Sequence, residues 1–316
     1  IPDAQVGIHP SEEKQHNLLI PPALIFPFAL ITFCFALWGF ANDITNPLVN
    51  AFGRIFNQSA FISSFVQFAF YGGYCFMAIP AAIYIKKYSY KSGILMGLAL
   101  YAIGGILFIP ASMAGLFYPF CVAFFIMTCG LSFLETSANP YILSMGAAET
   151  STRRLNLAQS FNPMGSIIGI LVAKEFILAK LNPTSTEGRA ALPLEDFDLI
   201  KLADLAVVRG PYVVIGLVLV VMFVLIWLTP MPKSQEASGK LDLVGTFKRL
   251  LANARYKEGV IAQAFYVGAQ ITIWTYTIHY GTQVLMGEGL AEANAAALAV
   301  NYNLYAMIVF ALSRFI

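Results

Sequence analysis

The stretch that decides the fold is residues 116–144, which read LFYPFCVAFFIMTCGLSFLETSANPYILS. It holds a single charged residue, Glu135, and is long enough to cross a hydrocarbon core of roughly 30 Å as a helix. Comparable blocks recur along the chain of 316 residues. We therefore predict an all-α membrane protein with transmembrane helices at about residues 24–49, 61–85, 93–111, 116–144, 155–179, 211–229, 260–280 and 292–316.

The composition excludes the two soluble domains that length alone would suggest. Hydrophobic residues make up 58% of the chain and charged residues 11%, whereas soluble proteins carry about 25% charged residues. The net charge of +2, without a basic patch, argues against nucleic acid as a partner. All four cysteines lie inside apolar blocks without a CxxC pair, so we interpret them as packed thiols and expect neither a metal nor a cofactor.

Lysine and arginine collect in every second connection, which orients the chain in the membrane. They follow the second span, at Lys86 and Lys87, then the fourth span, at Arg153 and Arg154, and then the sixth span. Because cytoplasmic loops carry the excess of positive charge, the N-terminus is predicted to be cytoplasmic.

The longest polar connection predicts the domain organisation. We expect a cytoplasmic N-terminal tail at 1–22, a six-helix bundle at 23–229, a cytoplasmic linker at 230–258, and the first two helices of a second bundle at 259–316. This is the plan of two-bundle transporters, and two helices cannot enclose half of a transport path. We therefore expect about four more helices beyond Ile316, in a chain that begins and stops inside a longer protein.

Two acids lie where lipid would otherwise be expected. Asp43 and Glu135 each stand alone in an apolar span, and each is followed by a short Thr/Ser stretch and Asn-Pro. A carboxylate at bilayer depth costs several kcal/mol unless it faces a water-filled cavity, pairs, or takes up a proton. We predict that both acids couple transport to protons; the structural alternative is a neutral acid bonded to a neighbouring helix. The shared pattern also predicts that spans one and four begin two inverted repeats.

Amides near these acids are candidates for sugar binding. Gln159 and Asn162 are three residues apart and share one helix face, and amides match the mixed donor and acceptor character of sugar hydroxyls. Interhelical amide contacts are the alternative interpretation. The further candidate substrate contacts, each of which could also be structural, are Asn46, Gln67, Trp38, Tyr266, Gln270 and Trp274.

Several stretches resemble one known family. They are Ile79–Ala82, Lys86–Gly93, Leu134–Pro140, Arg154–Asn162 and Tyr266–Gln270. Together they resemble the fucose:proton symporter family of the major facilitator superfamily, which includes fucose permease and bacterial glucose/galactose transporters. The resemblance implies a twelve-helix fold, of which eight helices are expected here. It also implies that Glu135 is the central acid, linked to sugar and proton, and that Gln159 and Asn162 contact the sugar.

The first span departs from the pattern of fucose permease. In that protein the acid falls opposite Asn46 and an amide falls opposite Asp43, so this chain has the two exchanged. The positions are one helical turn apart on the same face, about 5 Å from each other. The run Trp38–Asp43 looks more like the glucose/galactose members, and the identity of the sugar therefore stays open.

These features lead to a functional hypothesis. The protein is expected to be a monomeric sugar carrier of the bacterial inner membrane rather than an enzyme, importing a monosaccharide by alternating access with a cation, most simply a proton. A sodium-coupled carrier and a uniporter remain alternatives within transport. A membrane sensor that binds sugar without moving it is the alternative of another class.

Overall fold

The computed structural model describes residues 18–232 and 242–313. Every regular element in these two ranges is a helix. The described residues form two compact units, which fall within residues 1–235 and 236–314.

The first unit contains ten α-helices. They are α1 (Ile25–Phe56), α2 (Ala60–Ser63), α3 (Phe65–Lys87), α4 (Tyr90–Ile106), α5 (Phe108–Ala114), α6 (Phe117–Ser144), α7 (Ser151–Gln159), α8 (Phe161–Val172), α9 (Thr186–Ala190) and α10 (Leu194–Leu228). A π-helical turn, Ala173–Ile177, continues α8. The second unit contains α11 (Leu243–Ala252), α12 (Ala254–Gly287) and α13 (Glu292–Ser313).

Within residues 18–232 and 242–313, seven helical segments are long and apolar enough to cross a membrane. They are Pro22–Phe56, Phe61–Lys87, Tyr90–Ala114, Phe117–Ser144, Ala148–Lys180, Leu194–Leu228 and Glu292–Ser313. Seven of the eight predicted spans correspond to these segments. The remaining prediction, 260–280, lies within the continuous helix α12, which is not among them. Its Gln, Thr and Tyr side chains make this helix less apolar than the others.

Several predicted span edges differ from the observed helix ends by more than a turn, among them those of α1 and α10. Helix α1 continues past residue 49 to Phe56 and ends at Asn57, whose left-handed conformation closes the helix. Helix α10 begins at Leu194 rather than near 211, because Pro193 and two acids in the first turn favour a helix start there. Residues 194–210, which lie between the predicted spans 155–179 and 211–229, are therefore helical.

The main helix pairings in the first unit join spans of one predicted repeat to spans of the other. Helix α1 packs along α8, and α6 packs along α3, while α4 contacts both α6 and α10. The predicted repeats are α1, α3 and α4, and α6, α8 and α10. The first helix of each repeat packs on the second helix of the other, and the two third helices, α4 and α10, pack on each other. A two-fold relation between repeats would produce these pairings, but it would also pack α10 on α1 as closely as α4 packs on α6, and α10 contacts α1 much less. The inverted repeats therefore stay a prediction.

Small residues let α1 and α8 approach closely. A Cβ atom on Gly165 would overlap the carbonyl oxygen of Ala36, and one on Gly39 would overlap the carbonyl oxygen of Asn162. One turn along, a Cβ on Gly169 would lie 2.7 Å from the carbonyl oxygen of Phe40. Only glycine permits backbones this near, so these positions fix the crossing that carries the site.

Two cations in the short connections cap helix ends, and one of them, Arg154, is among the cations that predict the orientation. The fully buried Arg154 donates from Nη2 to the carbonyl oxygens of Leu143 and Ala147, each at 2.9 Å, at the end of α6. Lys91 Nζ donates to the carbonyl oxygens of Trp227 and Thr229, at 2.9 and 2.8 Å, after α10. Both cations satisfy carbonyl groups that a helix end leaves open and complement its dipole. The cytoplasmic location of these ends remains a prediction.

Candidate substrate and proton site

The two predicted acids are both located in the first unit, and among the described residues neither is paired with a cation. Asp43 on α1 is 3% exposed, and Glu135 on α6 is half-buried. The ion pairs of the described residues are Lys174–Glu175, Arg189–Asp204 and Lys201–Asp198, so neither acid belongs to one. Uncompensated carboxyl groups in such positions are expected where a ligand or proton binds.

Asp43 belongs to a hydrogen-bonded chain that connects α1 to α3. Asn46 Nδ2 donates to Asp43 Oδ1 at 3.2 Å, and Gln67 Nε2 donates to Asn46 Oδ1 at 3.1 Å. The structure thus brings together three residues named from the sequence. At the two ends of the chain, Asp43 Oδ2 and Gln67 Oε1 are buried without a hydrogen-bond partner in the described part of the protein.

Helix α8 closes the other side of Asp43. The Ser166 hydroxyl lies beside the carboxyl group of Asp43 and donates to the carbonyl oxygen of Gly39 at 3.4 Å. Asn162 Nδ2 donates to the carbonyl oxygen of Phe35 at 3.2 Å. The Asn162 amide is half-buried and keeps its carbonyl oxygen and a second N–H for another partner.

Glu135 lies beside a second amide pair. Gln159 Nε2 donates to Asn139 Oδ1 at 3.0 Å, and Asn139 Nδ2 donates to the backbone carbonyl of Glu135 at 3.0 Å. Among residues 18–232 and 242–313, no group donates a hydrogen bond to the Glu135 carboxyl group. Its oxygens are therefore available to vicinal hydroxyls of a sugar.

The two predicted amides of span five bind different helices. Helix α7 ends at Gln159 and α8 begins at Phe161, so a helix boundary separates Gln159 from Asn162. Gln159 contacts α6 and Asn162 contacts α1, so the two amides bind different helices rather than one.

Trp38 and Tyr74 add two unpaired donors near Glu135. Trp38 Nε1 and the Tyr74 hydroxyl lie near each other, and Tyr74 also lies near Glu135. Both atoms are buried and make no hydrogen bond within the described ranges. Because buried polar groups are nearly always satisfied, these two unpaired donors indicate a place for a polar ligand or water.

Sequence reasoning missed Asn139 and Tyr74. Asn139 was visible in the acid–Asn-Pro pattern, but that pattern served only as evidence for a repeat. Tyr74 lies seven residues after Gln67 and therefore on the same face of α3, a spacing that would have found it.

The remaining candidates belong to the second unit. Tyr266 is 56% exposed on α12, and Gln270 and Trp274 are half-exposed on the same helix. Trp274 packs edge-on against Phe310, with ring centroids 5.6 Å apart. Their participation in the site remains a prediction.

Comparison with known proteins identifies the family. Residues 31–316 match the Major Facilitator Superfamily. The chain is 48% identical over 298 residues to the L-fucose-proton symporter of Haemophilus influenzae, covering 92% of this chain and 68% of that protein. The chain belongs to the fucose:proton symporter family. This confirms the predicted fold class and places the chain among transporters rather than enzymes.

Other relatives agree with this assignment. A glucose/galactose transporter of Brucella abortus is 28% identical over 274 residues, covering 86% of this chain and 62% of that protein. A crystal structure of the Escherichia coli fucose:proton symporter superposes with a TM-score of 0.77 at 35% identity, covering 93% of this chain and 70% of that one. The chain thus spans about two thirds of the length of its relatives.

Proposed function

We propose that the protein containing this chain imports a monosaccharide together with a proton, by alternating access, across the inner membrane of a bacterium. The single observation that carries this proposal is the pair of acids in one bundle, each beside half-buried amides and neither with a cationic partner in the described part of the chain. The symporter named for L-fucose at 48% identity supports the same function. A cytoplasmic N-terminus and a monomer complete the proposal.

Glu135 is proposed as the group that links sugar and proton. Its free carboxyl group accepts hydrogen bonds from sugar hydroxyls, while Gln159 and Asn162 present amides from the neighbouring helices. Trp38 and Tyr74 supply donors that find acceptors when the sugar binds. Tyr266, Gln270 and Trp274 would contact the sugar from the second bundle. Sugar that binds one access state more tightly than the other shifts the balance between them.

Asp43 is proposed to hold the coupling proton. Its carboxyl group is buried and linked to α3 through amides, so a change in its charge alters contacts between two helices of the bundle. A sodium-coupled carrier or a uniporter would use the same cavity without this step. The coupling ion is therefore an outcome to be measured.

L-fucose is the sugar to test first. The symporters named for L-fucose are 48% and 36% identical to this chain, and the glucose/galactose transporter is 28% identical. The exchanged acid and amide at Asp43 and Asn46 argue for including glucose and galactose as competitors.

The test uses the full-length protein in proteoliposomes. Labelled L-fucose uptake is measured with an imposed proton gradient, with an imposed sodium gradient, and with an uncoupler. Glu135→Gln should abolish gradient-driven accumulation, because the amide cannot ionise. The matched control is Glu175→Gln, since the Glu175 side chain is 56% exposed and pairs only with a neighbouring lysine.

Three results would contradict the proposal. Accumulation driven by sodium alone would replace the proton as the coupling ion. Unchanged accumulation in Glu135→Gln would remove that residue from the coupling step. Sugar binding by the full-length protein without any flux would favour a sensor over a carrier.

A further inference from the structure

The chain from Gln67 through Asn46 to Asp43 has a direction. Each amide turns its NH2 group toward the acid and its carbonyl group away from it. An ionised carboxylate only accepts hydrogen bonds, whereas an amide has one donating and one accepting end. The observed direction is therefore the one that a charged Asp43 requires.

Each end of this hydrogen-bonded series, from Gln67 to Asp43, has an acceptor atom without a partner. Asp43 Oδ2 and Gln67 Oε1 are buried without partners in the part of the chain that the structure describes. A proton on Asp43 Oδ1 would face the Asn46 NH2 group, and two donors cannot share one hydrogen bond. Asn46 would then turn its carbonyl oxygen toward the acid and its NH2 group toward α3. There Gln67 Oε1, once that amide also turns, supplies the acceptor.

We propose that Gln67 is a positioning residue whose amide orientation reports the proton occupancy of Asp43 through Asn46. This inference rests on the proposed function and specifies how it is regulated. The reversal needs two side-chain rotations and no change in backbone. The reversal changes which end of the half-buried Gln67 amide is free for a sugar hydroxyl. While Asp43 is charged, the free end is the carbonyl oxygen; once Asp43 is protonated, it is the NH2 group.

The other groups near Asp43 do not offer a positive charge that would replace the hydrogen bonds from Asn46 and Gln67. Tyr71 on α3 interacts with Asp43 electrostatically, and from α10 the Tyr212 hydroxyl lies 3.5 Å from the Thr45 hydroxyl on α1. From α8 the neighbour is the Ser166 hydroxyl, and within the described ranges Glu135 on α6 makes no hydrogen bond or ion pair with Asp43. None of these carries a positive charge. A proton on Oδ2 held by Ser166 is the competing arrangement, and it would leave the chain unreversed.

The test separates these arrangements by the pH profile of sugar exchange. Full-length protein in proteoliposomes is assayed for counterflow of labelled L-fucose, which needs no net proton movement, at a series of pH values. Gln67→Met removes both ends of the amide at similar volume and should move the half-maximal pH by roughly half a unit or more. The KM for counterflow at the optimum pH should change less than the accumulation ratio measured with an imposed proton gradient. Ser166→Ala should leave the profile in place.

A spectroscopic measurement and a second variant keep the test decisive if Gln67→Met does not fold. Infrared difference spectra between low and high pH should show amide carbonyl bands that shift together with protonation of the acid. The bands should be lost in Asp43→Asn and reduced in Gln67→Met. Gln67→Asn keeps an amide too short to reach Asn46 and should behave like Gln67→Met.

The outcomes are distinct. A wild-type protein whose exchange and spectra do not depend on pH defeats both the proton coupling and the relay. A wild-type protein that depends on pH, with Gln67→Met and Gln67→Asn unchanged from it, overturns the relay alone. A shift seen only in Ser166→Ala assigns the proton to Oδ2 and also overturns it.

Discussion

Substituting Gly165 by alanine tests whether the close crossing of α1 and α8 holds the site together. The new Cβ would lie 2.6 Å from the carbonyl carbon of Ala36, whereas ordinary contacts begin at 3.4 Å. Because the carbonyl oxygen of Ala36 is nearer still, the helices must separate by more than about 1 Å, and such overpacking typically costs about 1–3 kcal/mol. The same crossing carries the hydrogen bonds from Asn162 to Phe35 and from Ser166 to Gly39, which separation would stretch.

The effect of Gly165→Ala can be measured on full-length protein in detergent and in proteoliposomes. We expect the apparent melting temperature to fall by roughly 3–10 °C. The KM for sugar should rise by roughly threefold or more, because a weakened hydrogen bond is worth about 1 kcal/mol. The control is Gly210→Ala on α10, where an added Cβ meets no atom within 4 Å and alanine favours the helix.

A specific result would refute this reasoning. If Gly165→Ala melts at the same temperature as Gly210→Ala and retains the wild-type KM, the backbones are not in close contact at this crossing. The position of Asn162 would then depend on other contacts.

Two further predictions concern charged residues. The double exchange Asp43→Asn with Asn46→Asp should recover the pH-dependent counterflow that Asp43→Asn alone loses, because Gln67 can donate directly to an acid at position 46; a double variant as insensitive to pH as the single one would contradict this. Asp204→Leu should destabilise the protein by about 3–5 kcal/mol, because it leaves the buried Arg189 without its partner at 2.6 Å. The control Asp198→Leu breaks a partly exposed pair worth about 1 kcal/mol or less. Equal melting temperatures for the two variants would show that the buried pair contributes nothing.

The sequence by itself determined the membrane helices and the two unusual acids. A bilayer core demands a long apolar segment for each helix, and this requirement is local, so composition alone located seven of the segments that the structure contains. The same criterion fails for α12, whose polar side chains interrupt its apolar run. It also misplaces the start of α10, since a helix can extend beyond its apolar part.

Only the tertiary structure decided which polar groups meet. Asp43 is linked to Gln67 through Asn46, Gln159 is linked to α6 through Asn139, and Tyr74 joins Trp38 near Glu135. These pairings depend on the rotation and register of each helix against its neighbours. Register is set by close backbone contacts, such as the glycine positions at the crossing of α1 and α8, which lie far apart in sequence. Spacing along one helix places residues on a face, but it cannot say which residue of another helix lies opposite.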